Sequence, residues 1–321
     1  MSRLHVSHKD IAKFADEKVN LPKFKADEYR KQVRGLREKL ETHIAENPTF
    51  SLRKMMLSGS LAKGTALRSL NDIDVACYVS GSDVPQDISE LLKYIAERLR
   101  KAFPNFSPDQ VKPQTYSITV SFKGSGLDVD IVPIIYNDDP QWYGNLVSQD
   151  DGSFLKTSIP LHLDFIRNRK KQQEKDFAQV IRLVKFWARR LKNEDPNFRF
   201  KSFMIEMIMS HLLDRGFDFS DYPEALQHFF TYLITSEVRE KIVFGDFYEE
   251  SKVGSFSDPI QIIDPVNETN NVASLYSSAQ ADSIVAAALD AGDAIDSALR
   301  ATTKEKTVYY WQKVFGPSFQ V

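Results

Sequence analysis

Gly59-Ser60 follow a short apolar strand at Met55–Leu57, eleven residues intervene, and Asp72-Ile73-Asp74 comes next. A Gly-Ser turn lets backbone N–H groups and a hydroxyl close on a triphosphate, because glycine permits close approach and a helix start favours anions. Asp72 and Asp74 stand at i and i+2 of what reads as a strand. They therefore point to one face, where two carboxylates can hold a divalent cation. A phosphate clamp beside a metal-binding acidic face implies phosphoryl-transfer chemistry.

Two metal ions would need a third carboxylate, and the sequence offers one. Residues 115–122 (TYSITVSF) alternate, with Tyr116, Ile118, Val120 and Phe122 on one side. Gly124-Ser125-Gly126 turns the chain, and LDVDIVPII follows as a second strand. Leu127, Val129 and Ile131 line one face of it, while Asp128 and Asp130 share the other. Acids among β-branched neighbours are costly to bury unless something cationic balances them. Asp130, deeper in the apolar run, is the better ligand, and Asp128, nearer the turn, reads as solvated.

Taken singly, these fragments carry little: Asp-Ile-Asp often ends a strand, and Gly-Ser is common in turns. Their order is what is specific. The set Gly59-Ser60, Asp72-x-Asp74 and Asp130 resembles the polymerase-beta-type nucleotidyltransferases. The fuller string SGSLAKGTALRSLNDIDV, with LDVDIVP, resembles the bacterial cGAS/DncV-like nucleotidyltransferases (CD-NTases), in the HORMA-associated branch of the CBASS anti-phage systems. That resemblance covers most of the chain and is weakest at the termini.

The resemblance implies an α+β fold: a polymerase-beta-like palm with a mixed sheet, a C-terminal helical lobe, and the active site in a cleft between them. It implies Asp72, Asp74 and Asp130 as catalytic metal ligands for two Mg²⁺ ions (Mn²⁺ would also serve), with Gly59 and Ser60 on the nucleotide phosphates. In the second lobe, LVKFWARR and KSFMIE resemble family helices in which a lysine reaches the triphosphate, a serine touches phosphate and an aromatic ring stacks on the base. Those positions are Lys185, Ser202 and Phe203. The implied activity joins nucleoside triphosphates, ATP above others, into a cyclic oligonucleotide messenger of the cyclic tri-adenylate type. A HORMA-domain activator and double-stranded DNA are the implied macromolecular partners.

Composition is ordinary for a soluble enzyme. The chain has 321 residues, 42% hydrophobic and 27% charged, with a net charge of −2. One cysteine, Cys77, rules out an internal disulfide. Six scattered histidines show no metal-ligand spacing, so zinc is not expected. No run approaches the ~18 apolar residues of a membrane span, and MSRLHVSHKD lacks a signal-peptide core. The expectation is a cytoplasmic protein.

Around the motifs, Tyr29, Val33, Leu36, Leu40 and Ile44 predict a long amphipathic helix. Its Lys25, Arg30, Lys31, Arg34 and Arg37 could flank a nucleic-acid groove, although such helices are more often salt-bridged outer faces. A helix is predicted at Ile88–Ala102, stopped by Pro104. Residues 1–160 are read as the palm domain and residues 161–321 as the helical lobe, with helices near 161–171, 176–192, 202–215, 222–235 and 279–299. Between Arg167 and Lys192, ten Lys or Arg oppose two acids, and Arg182, Lys185 and Arg189 form a basic stripe. The polar segment 245–278 reads as surface loops, within which IIDPVNETNNVA is structural. Competing functions are an RNA-tailing nucleotidyltransferase, a small-substrate or protein-modifying nucleotidyltransferase, and a catalytically silent DNA- or HORMA-binding sensor. The intact aspartate set weighs against the last.

Overall fold

The structure is a computed structural model; it describes residues 5–46, 52–70, 72–81, 84, 85, 87–147 and 152–321. The chain divides into two compact units, Leu21–Asp164 and a second made of the residues up to Asn20 together with Phe165–Val321. The palm expectation, by contrast, placed the first twenty residues with the sheet and the boundary at 160.

The N-terminal segment joins the second unit for identifiable reasons. Helix α1 (His8–Phe14) runs into a short π-helical turn at Ala15–Val19. Phe14 packs against Phe315 and Phe319 with ring centroids 5.2 and 4.9 Å away. Asn20 exchanges side-chain hydrogen bonds with Gln179 and accepts one from Arg182.

In the Leu21–Asp164 unit, α2 (Lys23–Glu46) precedes β1 (Leu52–Leu57), the short α3 (Gly59–Lys63), β2 (Asp72–Val79) and α4 (Ile88–Ala102). Then follow β3 (Val111–Pro113), β4 (Ile118–Phe122), β5 (Leu127–Tyr136), β6 (Gly144–Val147) and β7 (Phe154–Thr157). The sheet order is β1-β2-β5-β4-β3, with β6 on β5 and β7 on β6; β2 and β5 are parallel and every other pair antiparallel. The α+β class with a mixed sheet is as expected. Pro133 sits in the central strand β5, after β4 pairing ends at Ile131 and before β6 pairing begins at Ile134. A proline without an N–H is tolerated at such a break.

One face of the sheet is buried under two helices. α4 presents Leu91, Leu92, Ile95, Ala96 and Leu99, and α2 presents Ala26, Val33, Leu36 and Leu40, to Ile73, Val75, Cys77, Val120, Val129 and Ile131. The side chain of Ile44 lies outside the described residues. α4 occupies the predicted range, with Asp87 accepting from the Glu90 amide at its start. Because alternation is strict on β2 and β5, burying Ile73, Val75, Val129 and Ile131 forces Asp72, Asp74, Asp128 and Asp130 to the other face. Farther along that face Tyr78, Tyr136 and Trp142 cluster, and the Tyr78 hydroxyl accepts from the Ile159 amide.

The second unit carries most of α5 (Ile159–Gln172), then α6 (Asp176–Glu194), α7 (Ser202–Asp214) and α8 (Tyr222–Ser236). A two-stranded ribbon, β8 (Ile263–Asp264) with β9 (Asn267–Asn271), is followed by α9 (Ser278–Arg300) and α10 (Lys304–Phe315). The predicted helices are all present, and α1 and α10 add to them. α10 is short, but its Thr307, Trp311, Val314 and Phe315 are buried at helical spacing.

Segment 245–278 is not a set of surface loops. Ile260, Ile262, Ile263, Val266, Val272 and Ala273 are buried there, as are Asp264, Asn267 and Asn271. The polar side chains replace regular backbone pairing. Asn271 accepts from the Ile262 and Ala273 amides and donates to the Ile260 carbonyl, and Asp264 accepts from the Val266 amide and Asn270. Asn and Asp therefore mark buried turns here rather than solvated ones.

Of the Arg167–Lys192 cations, Arg169 and Lys185 are buried and Lys170, Arg182 and Arg190 half-buried, while the other five are exposed. Arg169 is buried, forks onto Asp214 and Asp246 at 2.6–3.1 Å, and lies 3.7 Å from the Phe165 ring centroid. Arg190 binds Glu194 and the Val314 and Lys313 carbonyls. Replacing Arg169 by Met leaves two carboxylates facing each other without a cation, and the expected loss in urea unfolding is about 3 kcal/mol. Arg169→Lys should recover less than half of this, since an ammonium cannot fork onto two carboxylates. A loss below about 0.5 kcal/mol for Arg169→Met would show the pairs to be surface-like.

Candidate active site

Parallel pairing of β2 with β5 sets Asp72 opposite Asp128 and Asp74 opposite Asp130. Four carboxylates thus occupy two neighbouring rungs of one ladder, on the face away from α2 and α4. Asp72 is exposed, whereas Asp74, Asp128 and Asp130 are half-buried. Burial, reinforced by the charges of Asp72 and Asp130, pushes the Asp74 carboxyl up to about 6, against a smaller opposing pull from Lys63. An acid so raised marks a place where negative charge is concentrated and uncompensated.

The Gly-Ser turn meets these acids directly. The Ser58 amide donates to the Asp74 carbonyl at 2.9 Å, which locks the start of α3 onto β2. Gly59 has φ +61, and a Cβ built on it would lie 1.9 Å from Asp74 Oδ2. Only glycine satisfies both the left-handed backbone and that approach. Ser60 follows, half-buried, with its carbonyl accepting from the Thr65 amide at 2.9 Å. Gly59, Ser60, Asp72, Asp74 and Asp130 therefore converge within the sheet-containing unit.

The acidic face suits a hard divalent cation. Its donors are carboxylate oxygens, and their crowding at Asp74 is what a cation would relieve. Among the described residues no three His, Cys, Asp or Glu side chains close on one point as a preassembled cage. An open face fits an ion that draws several of its ligands from substrate phosphates and water.

Lys185, Ser202 and Phe203 belong to the helical unit. Ser202 opens α7 and is exposed, and Phe203 is half-buried, unlike the fully buried Met204 beside it. Lys185 does not lie on a solvated stripe with Arg182 and Arg189. Its side chain is 4% exposed, and its Nζ donates to Glu206 Oε1 at 2.5 Å. Glu206 stands four residues beyond Ser202, on the same side of α7. Arg182, too, is held by Asn20 and Gln179, and burial lowers its pKa. The sequence showed these cations but not Glu206, because an acid in an apolar run announces no partner.

Asp128, expected on this face beside Asp130, is set by the ladder beside Asp72, and one further residue on the face escaped sequence reading: Thr119, whose hydroxyl donates to Asp130 Oδ1 at 2.6 Å. Period-2 alternation could have put Thr119 on this face, but only strand pairing says which acid it meets.

Comparison with known proteins shows the family. Residues 6–169 match the model of the Second Messenger Oligonucleotide or Dinucleotide Synthetase domain. The chain is 67% identical over 320 residues, covering 100% of both, to the cyclic AMP-AMP-AMP synthase of Escherichia coli strain MS 115-1. It is 35% identical to the CBASS oligonucleotide cyclase CdnC of E. coli strain KTE188, over 94% of each. The solved structure of E. coli MS115-1 CdnC with ATP superposes with a TM-score of 0.96 at 67% identity over 99% of this chain and 100% of that one. The same protein solved in a complex with HORMA-deltaN gives 0.94 at 66% identity over 99% of each. Among the described residues no helix is long and apolar enough to cross a membrane. The acidic ladder, the glycine pressed against it and these matches together place the chain in the second messenger oligonucleotide or dinucleotide synthetase family, as a nucleotidyltransferase of the HORMA-associated CBASS branch of the CD-NTases.

Proposed function

We propose that this nucleotidyltransferase condenses three ATP molecules into cyclic AMP-AMP-AMP with release of three pyrophosphates, as a signal in anti-phage defence. The observation that carries the reading is the β2–β5 register, which sets Asp72, Asp74 and Asp130 on one face against the Gly59-Ser60 turn. Full-length identity of 67% to a cyclic AMP-AMP-AMP synthase supports the choice of product. The HORMA-deltaN complex of a 66% identical protein supports a HORMA-domain partner in the bacterial cytoplasm.

In this reading Asp72, Asp74 and Asp130 would hold two Mg²⁺ ions. When bound, these ions neutralise the triphosphate and make a ribose hydroxyl acidic enough to attack. Gly59 and Ser60 seat the β- and γ-phosphates so that the α-phosphorus faces the acids. A ribose hydroxyl of a second nucleotide forms the new P–O bond while the bond to pyrophosphate breaks in line. Two such transfers make a linear trimer, and a third, within that trimer, closes the ring. Asp130 also accepts the hydroxyl proton in this reading. Lys185, Ser202 and Phe203 serve the donor nucleotide, with Lys185 exchanging Glu206 for phosphate. Catalysis is then chiefly positioning and charge neutralisation.

Incubation with the four ribonucleoside triphosphates and Mg²⁺, with and without HORMA protein, duplex DNA and an RNA primer, tests the reading. A phosphatase-resistant adenine trimer is expected; primer extension in its place would indicate an RNA-tailing enzyme. Asp72→Asn and Asp74→Asn should each lower turnover by on the order of a thousandfold or more, the rate equivalent of several kcal/mol of lost charge stabilisation. Near-normal turnover in either would overturn the metal assignment.

Asp74→Asn should also stabilise the metal-free protein. At pH 4 the Asp74 carboxyl is largely protonated in the folded chain, since its folded value is about 6. Between pH 4 and 7 the folded chain must ionise a group that the unfolded chain ionises more readily. The variant's advantage in urea unfolding should therefore grow from about 0.5 kcal/mol at pH 4 to about 3 kcal/mol at pH 7 to 8. Gly59→Ala should prevent this turn from forming beside Asp74, lowering both turnover and Tm.

A further inference from the structure

Thr119 is paired with Asp130 across the antiparallel β4–β5 ladder. Ile118 and Val120 on either side of it are buried in the core, so Thr119 stands on the acidic face. Its hydroxyl donates to Asp130 Oδ1 at 2.6 Å, within the short range of bonds to an ionised carboxylate. On its other flank Asp130 faces Asp74, its partner in the β2–β5 ladder. The third acid is thus held between a fixed donor and a like charge. Without the donor, repulsion from Asp74 would turn the Asp130 carboxylate toward solvent.

The donor is well suited to this task. A β-branched side chain in a strand has few χ1 options, so the Thr119 oxygen stays where the backbone puts it. A hydroxyl gives one proton, so it engages Oδ1 and leaves Oδ2 able to bind a cation.

We propose that Thr119 is a positioning residue of the nucleotidyl-transfer site, fixing the Asp130 carboxylate so that Oδ2 is presented to the divalent ion. This rests on Asp130 being a metal ligand, as proposed above. The chemistry is that of an outer-shell hydrogen bond orienting a ligand, whose removal usually weakens metal affinity by about 10–100-fold. Ser121, opposite Asp128 in the same ladder, has the same side-chain chemistry beside an acid that carries no assigned ligand role. It supplies the control position.

The test is Mn²⁺ affinity of the full-length protein, titrated with a non-hydrolysable ATP analogue bound and followed by the electron-spin signal of free Mn²⁺. Thr119→Val keeps the β-branched shape and removes the donor, and it should bind Mn²⁺ about tenfold or more weakly. Thr119→Ser should restore most of that loss, and Ser121→Ala should lose little. Asp130→Asn should lose at least as much as Thr119→Val. Thr119→Ala repeats the deletion without a β-branch, should the valine variant fail to fold.

Unchanged Mn²⁺ affinity in Thr119→Val and Thr119→Ala, with Asp130→Asn weakened, would overturn the Thr119 role alone. Equal losses in Thr119→Ser and Thr119→Val would overturn it also, since a packing role does not return with a hydroxyl. Unchanged affinity in Asp130→Asn would instead refute Asp130 as a ligand.

Discussion

Crowded negative charge on two rungs of a parallel β-ladder is the constraint around which the sheet-containing unit is organised. Asp72 and Asp74 lie beside Asp128 and Asp130 because β2 and β5 pair in register, and that register follows from burying Ile73, Val75, Val129 and Ile131 on the opposite face. A slip by one residue would bury the acids and expose the core. The hydrophobic face thus supplies the free energy that holds like charges together. Burial, and then the charges of Asp72 and Asp130, push the Asp74 carboxyl up to about 6.

The neighbouring elements are fitted to that cluster. Gly59 takes a backbone conformation that places it against Asp74 Oδ2, where any side chain would collide. Ser58 ties the same turn to β2 through the Asp74 carbonyl. The Gly-Ser turn and the acidic strand are therefore joined backbone to backbone, and the spacing between the turn and the acids is set by the main chain rather than by flexible side chains. A reaction that depends on in-line geometry benefits from such stiffness.

The helical unit handles charge differently. Arg169, Arg182, Lys185 and Arg190 are drawn inward and paired, with Arg169 between two aspartates and Lys185 against Glu206. Isolated buried charges would be prohibitive, and paired ones fix which helices meet. Lys185 is thereby held against Glu206 within a packed interior, on the helix packed against the one that begins at Ser202.

Much of the site was readable without coordinates, for a definite reason. Strand alternation is a local property, so Asp72 with Asp74, and Asp128 with Asp130, could be assigned to shared faces from the residues alone. The α+β class, the α4 range and the order of the later helices followed from equally local periodicities. The Gly-Ser turn was legible only through its order before Asp72-x-Asp74, since Gly-Ser alone is common in turns.

Long-range pairing was not legible. Parallel register between β2 and β5, the Thr119–Asp130 hydrogen bond, the Lys185–Glu206 pair and the docking of α1 and its π-turn onto α6 and α10 join residues far apart in sequence. Segment 245–278 looked like loops because Asn and Asp usually satisfy backbone groups beside solvent, whereas here they do so inside the core. The amino-acid sequence determined which residue types could perform nucleotidyl transfer and on which faces they lie. Tertiary structure decided which acids share a rung, which oxygen of Asp130 a hydroxyl restrains, and which cations are spent on internal pairs, because burial and strand pairing are settled only when distant segments compete for the same partners.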